Sequence, residues 1–184
     1  MRSDHTLTGF FSYAHIDAQA DPKLVDALTT TLETRVRARL AVGEFTIWRD
    51  TEGLRTGDRW DSKIEAALRA SDVLIVLLTP RWVGSDYCRK EFAIFEQGEP
   101  ELGEGEFIAP LLGRSLADEE RHLTPEQKKA WERLKSRQFT RVTASEFLKL
   151  DEDERTALVD KLADDIKLII DRRKRKLAST TGSS

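Results

Sequence analysis

Apolar residues along this chain alternate between short continuous runs and steps of three or four. Phe10-Phe11 followed by Ser12-Tyr13 reads as a short strand ending in a polar loop. Leu24, Leu28, Leu32, Val36 and Leu40 then recur at steps of four, one face of a helix, with Asp21 as N-cap, Pro22 at the first helical position and Gly43 as C-terminal cap. Phe45-Thr46-Ile47-Trp48 is a second strand, and Arg49 to Arg59, with Gly53 and Gly57, is a loop. Trp60, Ile64 and Leu68 mark a helix from about Asp61 to Ala70. Val73 to Leu78 is apolar on both faces, as in the central strand of a parallel sheet covered by helices, and Thr79-Pro80 stops it. Ser85-Asp86 caps a helix that runs to about Glu96.

The glycine- and glutamate-rich stretch Glu96 to Glu106 is a solvated loop. Phe107 to Leu112 is a fourth strand, with Pro110 placing it near an edge or strand end. Thr124-Pro125-Glu126-Gln127 is a capping box ahead of a helix anchored by Trp131 and Leu134. Gln138 to Val142 is a candidate fifth strand, and Leu158, Leu162, Ile166, Ile169 and Ile170 mark a last amphipathic helix followed by the basic run Arg172 to Lys176. Short strands alternating with helices predict an open, doubly wound α/β sheet. Ligands of such sheets sit beyond the C-terminal strand ends, which points to the loops Ser12–Asp21, Asp50–Trp60 and Thr79–Asp86.

Composition narrows the class. A length of 184 residues fits one domain, taken as residues 1–176, with the polar tail 177–184 as the start of a linker to a further sensor or oligomerising domain. Thirty basic against 33 acidic side chains argue against nucleic-acid binding through bulk positive charge. The single cysteine, Cys88, excludes a disulfide framework and a cysteine-rich zinc site. No run is long enough to span a bilayer, and Met1 to Thr8 lacks a signal-peptide core, so a cytoplasmic domain without membrane contact is expected. The basic run Arg172 to Lys176 suits a helix C-terminus better than a phosphate or lipid site.

Familiar catalytic motifs are missing. There is no Gly-x-Gly-x-x-Gly after a strand, no Gly-Lys-Ser/Thr phosphate loop and no Gly-x-Ser-x-Gly elbow. His5, His15 and His122 have no metal-ligand spacing, and no acidic cluster follows the first strand as in a phospho-receiver. One residue breaks the pattern. Glu91 stands four after Tyr87, three after Cys88, three before Ile94 and four before Phe95, inside the arc that should face the sheet. Glutamate is rarely buried without a partner. Periodicity leaves two readings open: pairing with an arginine or a backbone group, or a catalytic carboxylate at a pocket floor.

Several segments together resemble the TIR (Toll/interleukin-1 receptor) domain, in its bacterial form. Phe10-Phe11-Ser12-Tyr13-Ala14-His15-x-Asp17 resembles the opening strand and first loop. Trp48-Arg49-Asp50 with Leu54, Gly57 and Trp60 resembles the second strand and the BB loop. Ser71-Asp72, Val73 to Leu78, Thr79-Pro80 and Trp82 resemble the central strand and its exit, and Ser85-x-Tyr87-Cys88-x-x-Glu91-Phe92 the segment carrying the catalytic glutamate. The resemblance is close over about Thr8 to Glu96 and rests on element order beyond.

What it implies is a flavodoxin-like, five-stranded parallel sheet flanked by helices. It further implies cleavage of NAD+, as substrate and without cofactor or metal, at the nicotinamide–ribose bond, with Glu91 catalytic. Ser12, Tyr13, Trp48, Asp50, Trp60 and Tyr87 are the expected substrate-side residues. Of these, Ser12 taken alone is explained by turn chemistry, Trp48 leans to the core, and Asp50 reads as a hydrogen-bond acceptor that stabilises its loop. Tyr87 stands where the enzymes commonly carry tryptophan. Self-association through the BB loop, Asp50 to Trp60, is implied to complete a neighbour's pocket. The rival reading is a non-enzymatic TIR–TIR scaffold, which has no need of a carboxylate in an apolar arc.

Overall fold

The apolar runs become five strands: β1 (Leu7–Ser12), β2 (Phe45–Trp48), β3 (Val73–Leu78), β4 (Ile108–Leu112) and β5 (Thr140–Arg141). They form one five-stranded sheet in the order β2-β1-β3-β4-β5, with every neighbouring pair parallel. This is the flavodoxin-like order that the family resemblance implies, and its direction reverses between β1 and β3. The computed structural model describes residues 6–20, 22–40, 44–50, 62–98, 108–112, 116, 120–135, 140–141 and 150–181. Asp21, Gly43, Gly53, Leu54, Gly57 and Trp60 lie outside them.

Helices α1 (His15–Ala20), α2 (Pro22–Arg37), α3 (Ser62–Ala70), α4 (Pro80–Gly84), α5 (Asp86–Gln97) and α6 (Pro125–Lys135) lie in the connections, and α7 (Glu152–Thr181) follows β5. The crossovers β1-α2-β2 and β2-α3-β3 step in opposite directions across the sheet. Right-handed connection therefore puts α2 and α3 on opposite faces. On one face α2 packs against α7, and on the other α3 packs against α5. The helices read from the spacing are present, and Thr124 and Gln127 close the expected capping box ahead of α6, each side chain accepting from the other's backbone N–H.

Three expectations change. The loop Ser12–Asp21 contains a short helix, α1, and Thr79-Pro80 does more than stop β3. The Thr79 side chain accepts from the Trp82 backbone N–H, and Pro80 occupies the first turn, so the same pair starts α4. The last helix also runs through Arg172 to Lys176 and on to Thr181, past the boundary placed at residue 176. Arginine and lysine are good helix formers, and nothing in that run breaks the backbone ladder.

β3 is buried along its whole length, as its two-faced apolar run requires. Phe10, Phe11, Phe45, Leu74, Ile75 and Trp82 are among the large side chains that fill the core around it. Gly9 lets β1 approach this packing, because a Cβ there would stand 2.9 Å from Cζ of Phe45. At the N-terminal edge of the sheet, Asp72 Oδ2 accepts from the Thr8 N–H at 2.9 Å. Arg173 of α7 reaches the same residue, its Nε 3.5 Å from Asp72 Oδ1 and Nη1 3.3 Å from the Asp72 carbonyl. Among the described residues no helix is long and apolar enough to cross a membrane.

Candidate active site

In open α/β sheets ligands sit at the C-terminal strand ends beside the reversal, here between β1 and β3, and the residues found there come from four parts of the chain. Ser12 ends β1 and Tyr13 follows it; Asp50 follows β2, and Thr79 follows β3. Helix α5 starts under the Ser85 cap, whose side chain accepts from the Cys88 N–H, and runs with Cys88, Glu91, Phe92, Ile94 and Phe95 buried. Glu91 is only 8% exposed.

Among the described residues its partner is neither an arginine nor a backbone group. The Ser12 hydroxyl donates to Glu91 Oε2 at 2.5 Å, across 79 residues of sequence. Burial of Glu91 pushes its pKa up to about 8; the Ser12 bond opposes that rise and the negative charge of Asp50 adds to it. Ser12 is 1% exposed, so turn chemistry does not account for it. Its own environment includes a residue the sequence did not single out for the site. Trp82, fully buried in α4, donates its indole N–H to Ser12 Oγ at 2.9 Å. The Trp82 ring meets Phe92 edge-on, centroids 6.1 Å apart.

A second group holds the exit of β2. The Tyr13 hydroxyl donates to the backbone carbonyl of Asp50 at 2.5 Å, and His15 Nε2 lies 3.2 Å from Asp50 Oδ2. The Tyr13 and His15 rings pack 5.1 Å apart. Asp50 thus accepts through its backbone carbonyl, and its carboxylate lies beside His15. Burial raises the Tyr13 pKa; Arg49 opposes this, and Asp50 and Glu91 reinforce it. Thr79 donates to Asp17 Oδ2 at 2.6 Å, which ties α1 to the end of β3.

Trp48 is half-buried against the core and stacks on Phe10 at 4.9 Å, in line with the core reading. Tyr87, 41% exposed, sits at the start of α5 one turn before Glu91. Trp60 falls outside the described residues. Cys88 is buried beside Glu91, and its thiol is pushed up by burial first and by Glu91 second, so it packs as an inert thiol. Two contributors escaped the sequence reading. Trp82 carried a signal, an aromatic residue two after Pro80 at a strand exit, whereas His15 carried none beyond its distance of two from Tyr13.

No group of three or more His, Cys, Asp or Glu among the described residues is placed to hold a metal ion. Among the described residues the strand ends offer a buried carboxylate, Glu91, with a hydroxyl donor, Ser12, an arrangement suited to stabilising positive charge that develops beside it. Among curated proteins none matches the sequence. Among solved structures, the TIR domains of the activated Roq1 resistosome, which directly recognises the pathogen effector XopQ, align over 90% of this chain and 84% of theirs at 12% identity and a TM-score of 0.44. An oxidoreductase from Corynebacterium diphtheriae aligns over 94% of this chain and 99% of its own at 16% identity and a TM-score of 0.43. The decisive match is to the sequence model of the TIR domain, which covers residues 10–162, from within β1 to within α7. The chain belongs to the TIR domain family.

Proposed function

We propose that this TIR domain is an NAD+ nucleosidase, cleaving the nicotinamide–ribose bond with Glu91 as the catalytic carboxylate. The observation that carries the reading is the burial of Glu91 at the C-terminal end of β1, held by Ser12. A carboxyl group kept out of water costs the fold stability, so its place there is better explained by a use in chemistry than by a use in packing. Nicotinamide leaves as a neutral molecule from a cationic ring, so no general acid is needed, unlike ordinary glycoside cleavage. What remains is an oxocarbenium-like ribosyl centre, which a nearby negative charge stabilises.

The raised pKa of Glu91, about 8, fits this use. A cationic nicotinamide ring entering the site favours the ionised carboxylate, so NAD+ binding releases a proton from a site that holds it when empty. Attack by water gives ADP-ribose, and attack by an adenine nitrogen gives a cyclic isomer. On this reading Tyr87 and Trp48 offer aromatic faces to the dinucleotide, Trp60 shields the substrate, and Tyr13 and Asp50 fix where the BB loop leaves β2. Self-association brings a neighbour's BB loop to the pocket and raises activity, in bacterial antiphage defence or signalling.

The test incubates concentrated or assembled protein with NAD+ and follows nicotinamide by chromatography. Release that disappears in Glu91→Gln supports the enzyme. Equal release from the variant, or none from assembled wild type, returns the chain to the scaffold reading.

A further inference from the structure

We infer that Trp82 is a positioning residue for Glu91, acting through Ser12: its indole N–H sets the direction in which the Ser12 hydroxyl donates. The inference builds on the nucleosidase reading, which supplies the reaction that Glu91 would serve.

An indole N–H donates and never accepts. At 2.9 Å, Ser12 Oγ is therefore the acceptor of the Trp82 bond. The hydroxyl has one proton to give, and Glu91 Oε2 is 2.5 Å away. The other group beside it, the Cys88 sulfur, is a weak acceptor. Donation from Trp82 also polarises the hydroxyl and strengthens its bond to the carboxylate. Oε2 is thereby held as an accepting oxygen in both protonation states, and when Glu91 is neutral its proton resides on Oε1. Oε1 is then the oxygen left to meet a ribosyl group.

Trp82 cannot readily swing away from this task. It is fully buried, its backbone N–H is held by Thr79 Oγ1 at 3.0 Å, and its ring is braced edge-on by Phe92. Among the described residues, the other ionisable groups that act on Glu91 or feel its charge are Cys88 on the same helix, Asp50 after β2 and Tyr13 after β1. Asp17 acts on Cys88 and Arg49 on Tyr13. The indole N–H is engaged by Ser12 Oγ, so removing that group acts first on the Trp82–Ser12–Glu91 chain.

The experiment titrates the Glu91 carboxyl directly, without NAD+, by infrared difference spectroscopy of the full chain. Each protein is compared with its Glu91→Gln counterpart. Trp82→Phe keeps an aromatic ring but removes the donor; the Glu91 midpoint should rise by up to about one pH unit as the Ser12 bond weakens. In a Ser12→Ala background the same substitution should add nothing, because the intermediary is gone. A Trp82→Phe midpoint equal to wild type, or the same shift with Ser12 absent, overturns the proposal.

Should Trp82→Phe fail to fold, wild-type protein supplies the second measurement. The Trp82 indole N–H resonance should move with the Glu91 titration and stop moving in Ser12→Ala. An indole resonance that ignores the titration in wild type overturns the proposal as well. Both measurements are independent of turnover, so a failure to release nicotinamide would remove the nucleosidase reading and leave this one standing or falling separately.

Discussion

Glu91 should make the stability of this domain fall as pH rises. Its carboxyl has an ordinary value of 4.5 and is pushed up to about 8 in the folded chain. Below the lower value the folded and unfolded chains both hold the proton, and the residue contributes nothing to pH dependence. Between the two values the unfolded chain has released its proton and the folded chain retains it, so stability declines with increasing pH and levels off above the higher one. At 1.36 kcal/mol per pH unit the full interval corresponds to roughly 5 kcal/mol. That is a large share of the ~5–15 kcal/mol that holds a domain of this size together.

Glu91→Gln keeps the shape and an oxygen for the Ser12 hydroxyl but cannot ionise. Urea midpoints measured for both proteins from pH 5 to 9 let the remaining titrating groups cancel in the difference. The two should lie closest at pH 5, and the variant should gain several kcal/mol over wild type by pH 8.5. Parallel profiles across that range would refute the argument, because they would mean that the carboxyl titrates alike in the folded and unfolded chains.

Other outcomes follow from the packing. Gly9→Ala drives a methyl to 2.9 Å from Cζ of the fully buried Phe45, and should lower stability by about 1–3 kcal/mol; an unchanged Tm would show that the strand shifts freely. Asp72→Ala removes the acceptor of the Thr8 N–H and the carboxylate facing Arg173, with an expected loss of about 2–4 kcal/mol. Amide exchange at Thr8 should quicken alongside, and a protected Thr8 amide in the variant contradicts the assignment. Cys88 is buried with its thiol pushed up, so alkylation of native protein should wait for unfolding; rapid labelling at neutral pH argues against that burial.

Local and periodic features were readable from the sequence, and long-range pairings were not. Val73 to Leu78 announced a central strand because both faces were apolar, and it is buried throughout. Glu91 announced itself by breaking a helical stripe, and it is indeed inside that stripe. Its partner could not be read, because Ser12 lies 79 residues earlier and a strand-end serine resembles any turn residue. The same holds for Trp82, which reaches Ser12 only once α4 is folded under β1. Short helices were missed for a different reason. In α4 the residues that end a strand, Thr79 and Pro80, are also the ones that start a helix, so one signal has two meanings. The last helix was cut short because a basic run reads as a terminus, whereas α7 continues through it.

Asp72 has one further consequence. Thr8, near the start of β1, and Arg173, late in α7, both bind it at the N-terminal strand ends, the opposite end of the sheet from Glu91. One side chain thus fastens the first strand and the last helix to the start of the central strand, so local opening of either element has to break a contact to Asp72.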